Sequence, residues 1–143
     1  PRSLVTYRHR EGQSLVARTP RRLLLQLRLE SFTRRVLRSP RWAEGFSIWG
    51  AGRDGRAFFN LLPADLRDRV RCFCDVDEKK VGTEYVNGAT QSRPVKVVHW
   101  RDVEPPVVLC VAMGRTDGAF EENVAEMAQL KSMTEMVDYW HFN

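Results

Sequence analysis

Apolar and polar residues alternate along this chain in two rhythms, and the change falls near residue 45. Before it, Leu25, Leu29, Phe32 and Val36 recur at helical spacing on one face. Arg21, Arg28, Arg35 and Arg38 fall mainly on the other faces. Thr19 can cap such a helix, Pro20 suits its first position, and Ser39-Pro40 stops it near Arg38. The helix must bury its stripe either on the α/β segment after it or on something upstream. Ahead of it, Leu4-Val5-Thr6-Tyr7 reads as a short strand.

From Phe46 the pattern alternates strand and helix. Phe46–Trp49 is a strand, and a helix over Arg56–Leu62 ends near Pro63. Val70–Cys74 is the second strand, Asp75–Lys80 a polar turn, and an irregular stretch runs through Gly82 and Gly88. Val95–Val98 is a short third strand. After Pro105-Pro106, Val107–Ala112 is continuously apolar, as in a central parallel strand buried on both faces. Gly114 to Gly118 turns into a helix over Phe120–Leu130, with Phe120, Val124 and Met127 in register. Met136–Phe142 reads as a last strand. The expected fold is α/β, a small Rossmann-like parallel sheet of four to five strands with flanking helices, preceded by a basic linker helix. The expected division is 1–41 and 45–143.

The turn after the first strand is Gly50-Ala51-Gly52-Arg53-Asp54-Gly55, a G-x-G-x-x-G run. Asp75 ends the next strand 20 positions after Gly55. Strand, glycine turn, helix, strand and acid in that order form the dinucleotide-fold fingerprint. Gly50 serves the tight turn, Gly52 lets a phosphate approach, and Gly55 lets helix and strand pack closely. The helix start offers free N–H groups to an anion. Gly50, Gly52, Gly55 and Asp75 are therefore candidate ligand contacts, with Arg115 at the end of the buried strand as a phosphate holder. The ligand would be a nucleotide, a nucleotide sugar such as a UDP-sugar, or NAD. The same glycines also suit a turn that only packs, and Asp75 also suits a turn acid that caps the next segment. The unit after Phe46 is short and shows one nucleotide half at most, which weighs against a complete dehydrogenase.

Charge sharpens the picture. The chain has 143 residues and a net charge of +5, but residues 1–41 hold eleven Arg against Glu11 and Glu30, a balance of +9, so the remainder carries −4. A basic arm on a mildly acidic domain calls for an anionic partner, with nucleic acid among the candidates, or is a solvated helix face. Arg21, Arg28, Arg35 and Arg38 are the candidate nucleic-acid contacts. Cys72, Cys74 and Cys110 lie in strand segments, Cys72 and Cys74 on one face, and they read as free buried thiols of a cytoplasmic protein. No zinc spacing is present. His9, His99 and His141 are scattered, and no Ser or Cys stands with them in a nucleophile motif. No apolar run approaches the roughly 20 residues of a membrane helix. The first residue is Pro1 rather than Met, so a piece of a longer protein is expected.

Several stretches carry a resemblance. Tyr7-Arg8-His9-Arg10-Glu11-Gly12-Gln13-Ser14 is similar to the Tyr-Arg-x-His-x-x-x-Ser segment that closes the donor domain of inverting family-2 glycosyltransferases. Pro40-Arg41-Trp42, Ile48–Gly52, Cys72–Lys79, Gly118–Asn123 and His141-Phe142 resemble the C-terminal region of one member. That member moves galactose from UDP-galactose to the queuosine of a tRNA. The resemblance implies that this chain is the non-catalytic end of a cytoplasmic transferase. The donor aspartates and the catalytic base would lie upstream, in a catalytic domain that is its first partner, with tRNA the second. Arg10 stands where the family pattern has His, and Arg does not ligate a metal. The Gly-Ala-Gly, Phe73-x-Asp75-x-Asp77 and Lys79-x-x-Gly82 elements also resemble the N-terminal domains of sugar acyltransferases and dehydratases. Some of those pockets bind nucleotides or nucleotide sugars, and others are empty. A nucleotide- or NAD-binding regulatory or redox domain, and a structural dimerisation module, are the competing readings.

Overall fold

The computed structural model describes residues 20–87, 93–111 and 117–142. Thr19, the 4–7 strand and the Tyr7–Ser14 segment lie outside them. Helix α1 (Arg21–Phe32) starts after Pro20 and runs into a π-helical turn, Thr33–Leu37. The wider turn, closed by Arg38 N–H donating to the Thr33 carbonyl at 3.1 Å, rotates the last residues so that Thr33, Val36 and Leu37 all face inward. Ser39-Pro40 ends this segment and opens a one-turn helix, α2 (Pro40–Ala43), with Pro40 at its first position.

Six strands form one sheet: β1 (Phe46–Trp49), β2 (Val70–Asp75), β3 (Glu84–Tyr85), β4 (Val95–His99), β5 (Val107–Leu109) and β6 (Tyr139–His141). Their order is β3-β4-β2-β1-β5-β6. Five are parallel, and β3 is a two-residue antiparallel edge paired to β4. That edge lies where the sequence pattern predicts only irregular chain. Tyr85 holds it down: its ring packs on Phe59 and Phe73, and its hydroxyl bonds Asn60 at 2.9 Å. Helix α3 (Arg53–Leu61) links β1 to β2 through the single turn α4 (Ala64–Arg67), and α5 (Ala119–Leu130) precedes β6. The last strand is shorter than its apolar pattern predicts. Thr134–Asp138 is instead a turn, with Asp138 N–H on the Thr134 carbonyl at 2.8 Å and Met136 at φ +65°. The architecture is a small Rossmann-like α/β fold.

Alternation along each strand divides the core between two faces. Phe46, Ile48 and Val108 face α1 and α3, where Leu29, Phe32, Phe58, Phe59 and Phe142 meet them. Trp49, Val107 and Leu109 face α5, against Trp100, Phe120, Val124 and Met127. A bulge in β2 keeps this division. Phe46 pairs with Val70 but Ile48 with Phe73, so one extra residue lets Val70 and Phe73 share the α3 face while Cys72 and Cys74 take the other. The stripe of α1 is buried on the α/β core, since Leu29, Phe32, Val36 and Leu37 belong to the same cluster as the sheet. Among the described residues no helix is long and apolar enough to cross a membrane.

Candidate functional site

Strand order places the site. β1 connects through α3 to one side of the sheet, while β5 lies on its other side. The carboxyl ends of β1 and β5 therefore diverge, and the crevice between them is where open α/β sheets bind ligands. Gly50 follows β1 there, beside Cys110 and Val111 from the end of β5.

Each glycine of the run has a separate geometric reason. Gly50 sits at φ +120°, a conformation side chains rarely adopt, and a Cβ there would also meet the Cys110 carbonyl oxygen at 3.3 Å. Gly55 lies under the turn: its Cβ would stand 1.7 Å from the Gly50 oxygen, so only a hydrogen fits. Gly52 differs. It is the cap of α3 at φ −90°, and its Cβ would meet only the Lys80 ammonium at 3.4 Å. Packing thus requires glycine at 50 and 55. At 52 the backbone is open to an approaching group.

Asp75 is held by the backbone. Oδ2 accepts from Ala51 N–H at 2.9 Å, and Oδ1 accepts from Val76 N–H at 2.8 Å and Asp77 N–H at 3.0 Å. The side chain ties the end of β2 to the glycine turn and caps the next turn, which Asp77 continues by accepting from Lys79 N–H at 2.9 Å. Among the described residues these three bonds leave one lone pair, on Oδ2, open to a ribose hydroxyl. Around it the described residues enclose about 220 Å3, with Arg53 and Lys80 as cations and Asp54 as a second acid. Arg115 lies outside the described residues. Arg53 and Lys80 escaped the sequence reading as site residues, although Arg53 stands inside the glycine run and Lys80 inside the Lys-x-x-Gly element.

The four candidate arginines of the basic helix separate. Arg21 and Arg28 line a groove of about 640 Å3 between α1 and α3, joined there by Arg22 and Arg53. Arg21 is an exposed partner of Asp54 at 3.7 Å. Arg38 lies at the other end of the helix and donates to Asp65 of α4 at 2.8 Å. Arg35 is exposed. The groove meets the glycine pocket at Arg53 and Asp54, which line both. Spacing along one helix carried no trace of this second wall, because α3 supplies it.

The three cysteines are free. Burial pushes the Cys74 and Cys110 thiols well above their ordinary range, and burial raises Cys72 against an opposing contact with Ser47 at 3.3 Å. All three stay protonated at neutral pH and are poor nucleophiles. His99 of β4 accepts from Arg101 N–H at 3.2 Å, and His141 of β6 stands 3.6 Å from Glu135, with β2, β1 and β5 between the two strands. Among the described residues no group of His, Cys, Asp and Glu is placed to hold a metal ion. Neither a protein-family model nor a solved structure matches this chain.

Proposed function

We propose that this chain is a non-catalytic Rossmann-like accessory domain of a cytoplasmic family-2 glycosyltransferase, one that transfers galactose from UDP-galactose to queuosine in tRNA. The resemblance of its motifs supplies the class. The observation that carries the accessory role is the divided use of α1. Its end and the π turn after it are sunk in the α/β core through Leu29, Phe32 and Val36, while Leu23, Leu24 and Leu27, nearer its start, are 45–54% exposed among arginines. A helix anchored at one end and apolar at the other suits a brace between this domain and a catalytic neighbour. Incubated with UDP-galactose and queuosine-containing tRNA, this chain alone should give no transfer above blank, and the longer transferase should. Transfer by this chain alone would overturn the non-catalytic reading. Absence of transfer by the longer protein would overturn the class.

A second reading has an observation of its own. The open approach at Gly52, flanked by Lys80 and Arg53 at the start of α3, suits a phosphate-bearing nucleotide or NAD. Gly52→Val puts branches where that phosphate must pass, at a backbone angle valine adopts. Calorimetry with NAD, UDP and UDP-galactose should then give heat with the wild type and none with the variant. No heat from the wild type with any of the three leaves the turn a packing device.

A further inference from the structure

The groove between α1 and α3 has a volume of about 640 Å3 and a charged rim. Its floor is aliphatic: Leu24 and Leu25 from α1, Ala57 and Leu61 from α3. Among the described residues its rim carries Arg21, Arg22, Arg28 and Arg53 against one carboxylate, Asp54. Leu23 and Leu27, exposed beside it on α1, extend the apolar surface beyond the groove. Exposed leucines gain by burial, and four cations around one acid repel each other until a partner supplies negative charge.

We infer that this groove docks a protein segment presenting aliphatic side chains flanked by carboxylates. The charge selects an acidic partner, and the floor selects a polypeptide over RNA. Single-stranded nucleic acid is gripped by stacking bases on aromatic rings, and the described lining holds none. An aliphatic floor with an arginine border instead matches the helix-in-groove mode, in which the partner's apolar anchors fill the floor and charges fix the register. The groove has this character whether or not the chain belongs to a transferase.

The test is fluorescence anisotropy with three labelled probes. One is an amphipathic peptide of about 15 residues, long enough for a marginal helix, with Leu at helical spacing and Glu beside it. The second has Lys in place of each Glu. The third is an oligouridine of similar length. The acidic peptide should bind saturably, weaken as salt rises, and outbind both others. Arg22→Glu with Arg28→Glu should lower its affinity at least about tenfold, since like charges then face each other. Leu24→Gln should weaken it at low and high salt alike. All three positions are exposed, and thermal melts should confirm that the variants stay folded. Tighter binding of the oligouridine overturns the inference in favour of RNA. No saturable binding of the acidic peptide, or an unchanged affinity in the double arginine variant, overturns it outright.

Discussion

Two residues of the glycine turn separate packing from binding. Gly55→Ala must push α3 off the turn, because its Cβ and the Gly50 oxygen cannot share 1.7 Å. Overpacking of this kind costs about 1–3 kcal/mol or more, so urea unfolding should show a loss of at least about 2 kcal/mol. Gly52→Ala meets no such obstacle and should stay within about 1 kcal/mol of wild type, the scale of a helix-cap change. Asp75 gives a sharper case. Its carboxylate takes three backbone N–H groups. Asp75→Ala leaves them without that acceptor and should cost on the order of 2–3 kcal/mol with no ligand present. Unchanged stability would mean that Asp75 matters only to a ligand. The fingerprint of glycines and acid was legible in the sequence. So was the reading of Asp75 as a turn acid, since Val76 and Asp77 are its chain neighbours; its bond to Ala51 was not, because only the meeting of β2 with the glycine loop brings the two together.

Helix α1 works as two halves. Phe32 packs edge-on against Phe142, Trp140 and Phe58, with centroids 5.4–6.1 Å apart. Phe32→Ala should therefore cost about 3–5 kcal/mol, while Leu27→Ala, at a side chain 54% exposed, should fall near zero in thermal or urea melts. At its far end the helix is tied to α4 by Arg38 and Asp65. The hydrogen bond from Arg38 holds the Asp65 carboxyl below its ordinary range. A carboxylate lowered on folding adds stability above its unfolded value and loses it as pH falls through the folded one. Asp65→Asn should thus cost a small amount at neutral pH and nothing in strong acid, where both forms are uncharged. The pair is half exposed and solvent-screened, so the effect should be slight. Equal loss at both pH values would show a packing role instead. The helix itself was legible from Leu25, Leu29, Phe32 and Val36. Its π turn, which brings Leu37 into the core, results from fitting the helix end against α2 and the sheet.

For the molecule as a whole, α1 and the sheet share one core. Melting should accordingly be a single transition, with helix content by circular dichroism and tryptophan fluorescence coincident, because Trp42, Trp49 and Trp100 are all nearly fully buried. Two transitions, the earlier one losing helix alone, would make α1 a separate unit. Trp49 and Trp100 stack at 5.5 Å and 17° on the α5 face, while Trp42 and Trp140 belong to the cluster of Phe32, so a Trp42→Phe, Trp140→Phe variant makes the emission report the α5 face independently of α1.

What the sequence determined by itself was the succession of elements and the chemistry of one turn. Period 3.6 before residue 45 and short apolar runs after it need only local geometry, and a G-x-G-x-x-G run after a strand is local too. The short strand β3 escaped because two residues hold no period, and Tyr85 finds its place only against Phe59 and Phe73. Met136 and Val137 extend the apolar run of the last strand, yet they form an exposed turn whose shape is set by Asp138 capping Thr134 N–H at 2.8 Å and pairing with Arg41 at 2.9 Å. Only tertiary structure decided which arginines share a wall. Arg53 of α3 and Arg28 of α1 are 25 positions apart in the chain, and they line one groove because burying Leu29 and Phe32 against Phe58 leaves no other place for the helix.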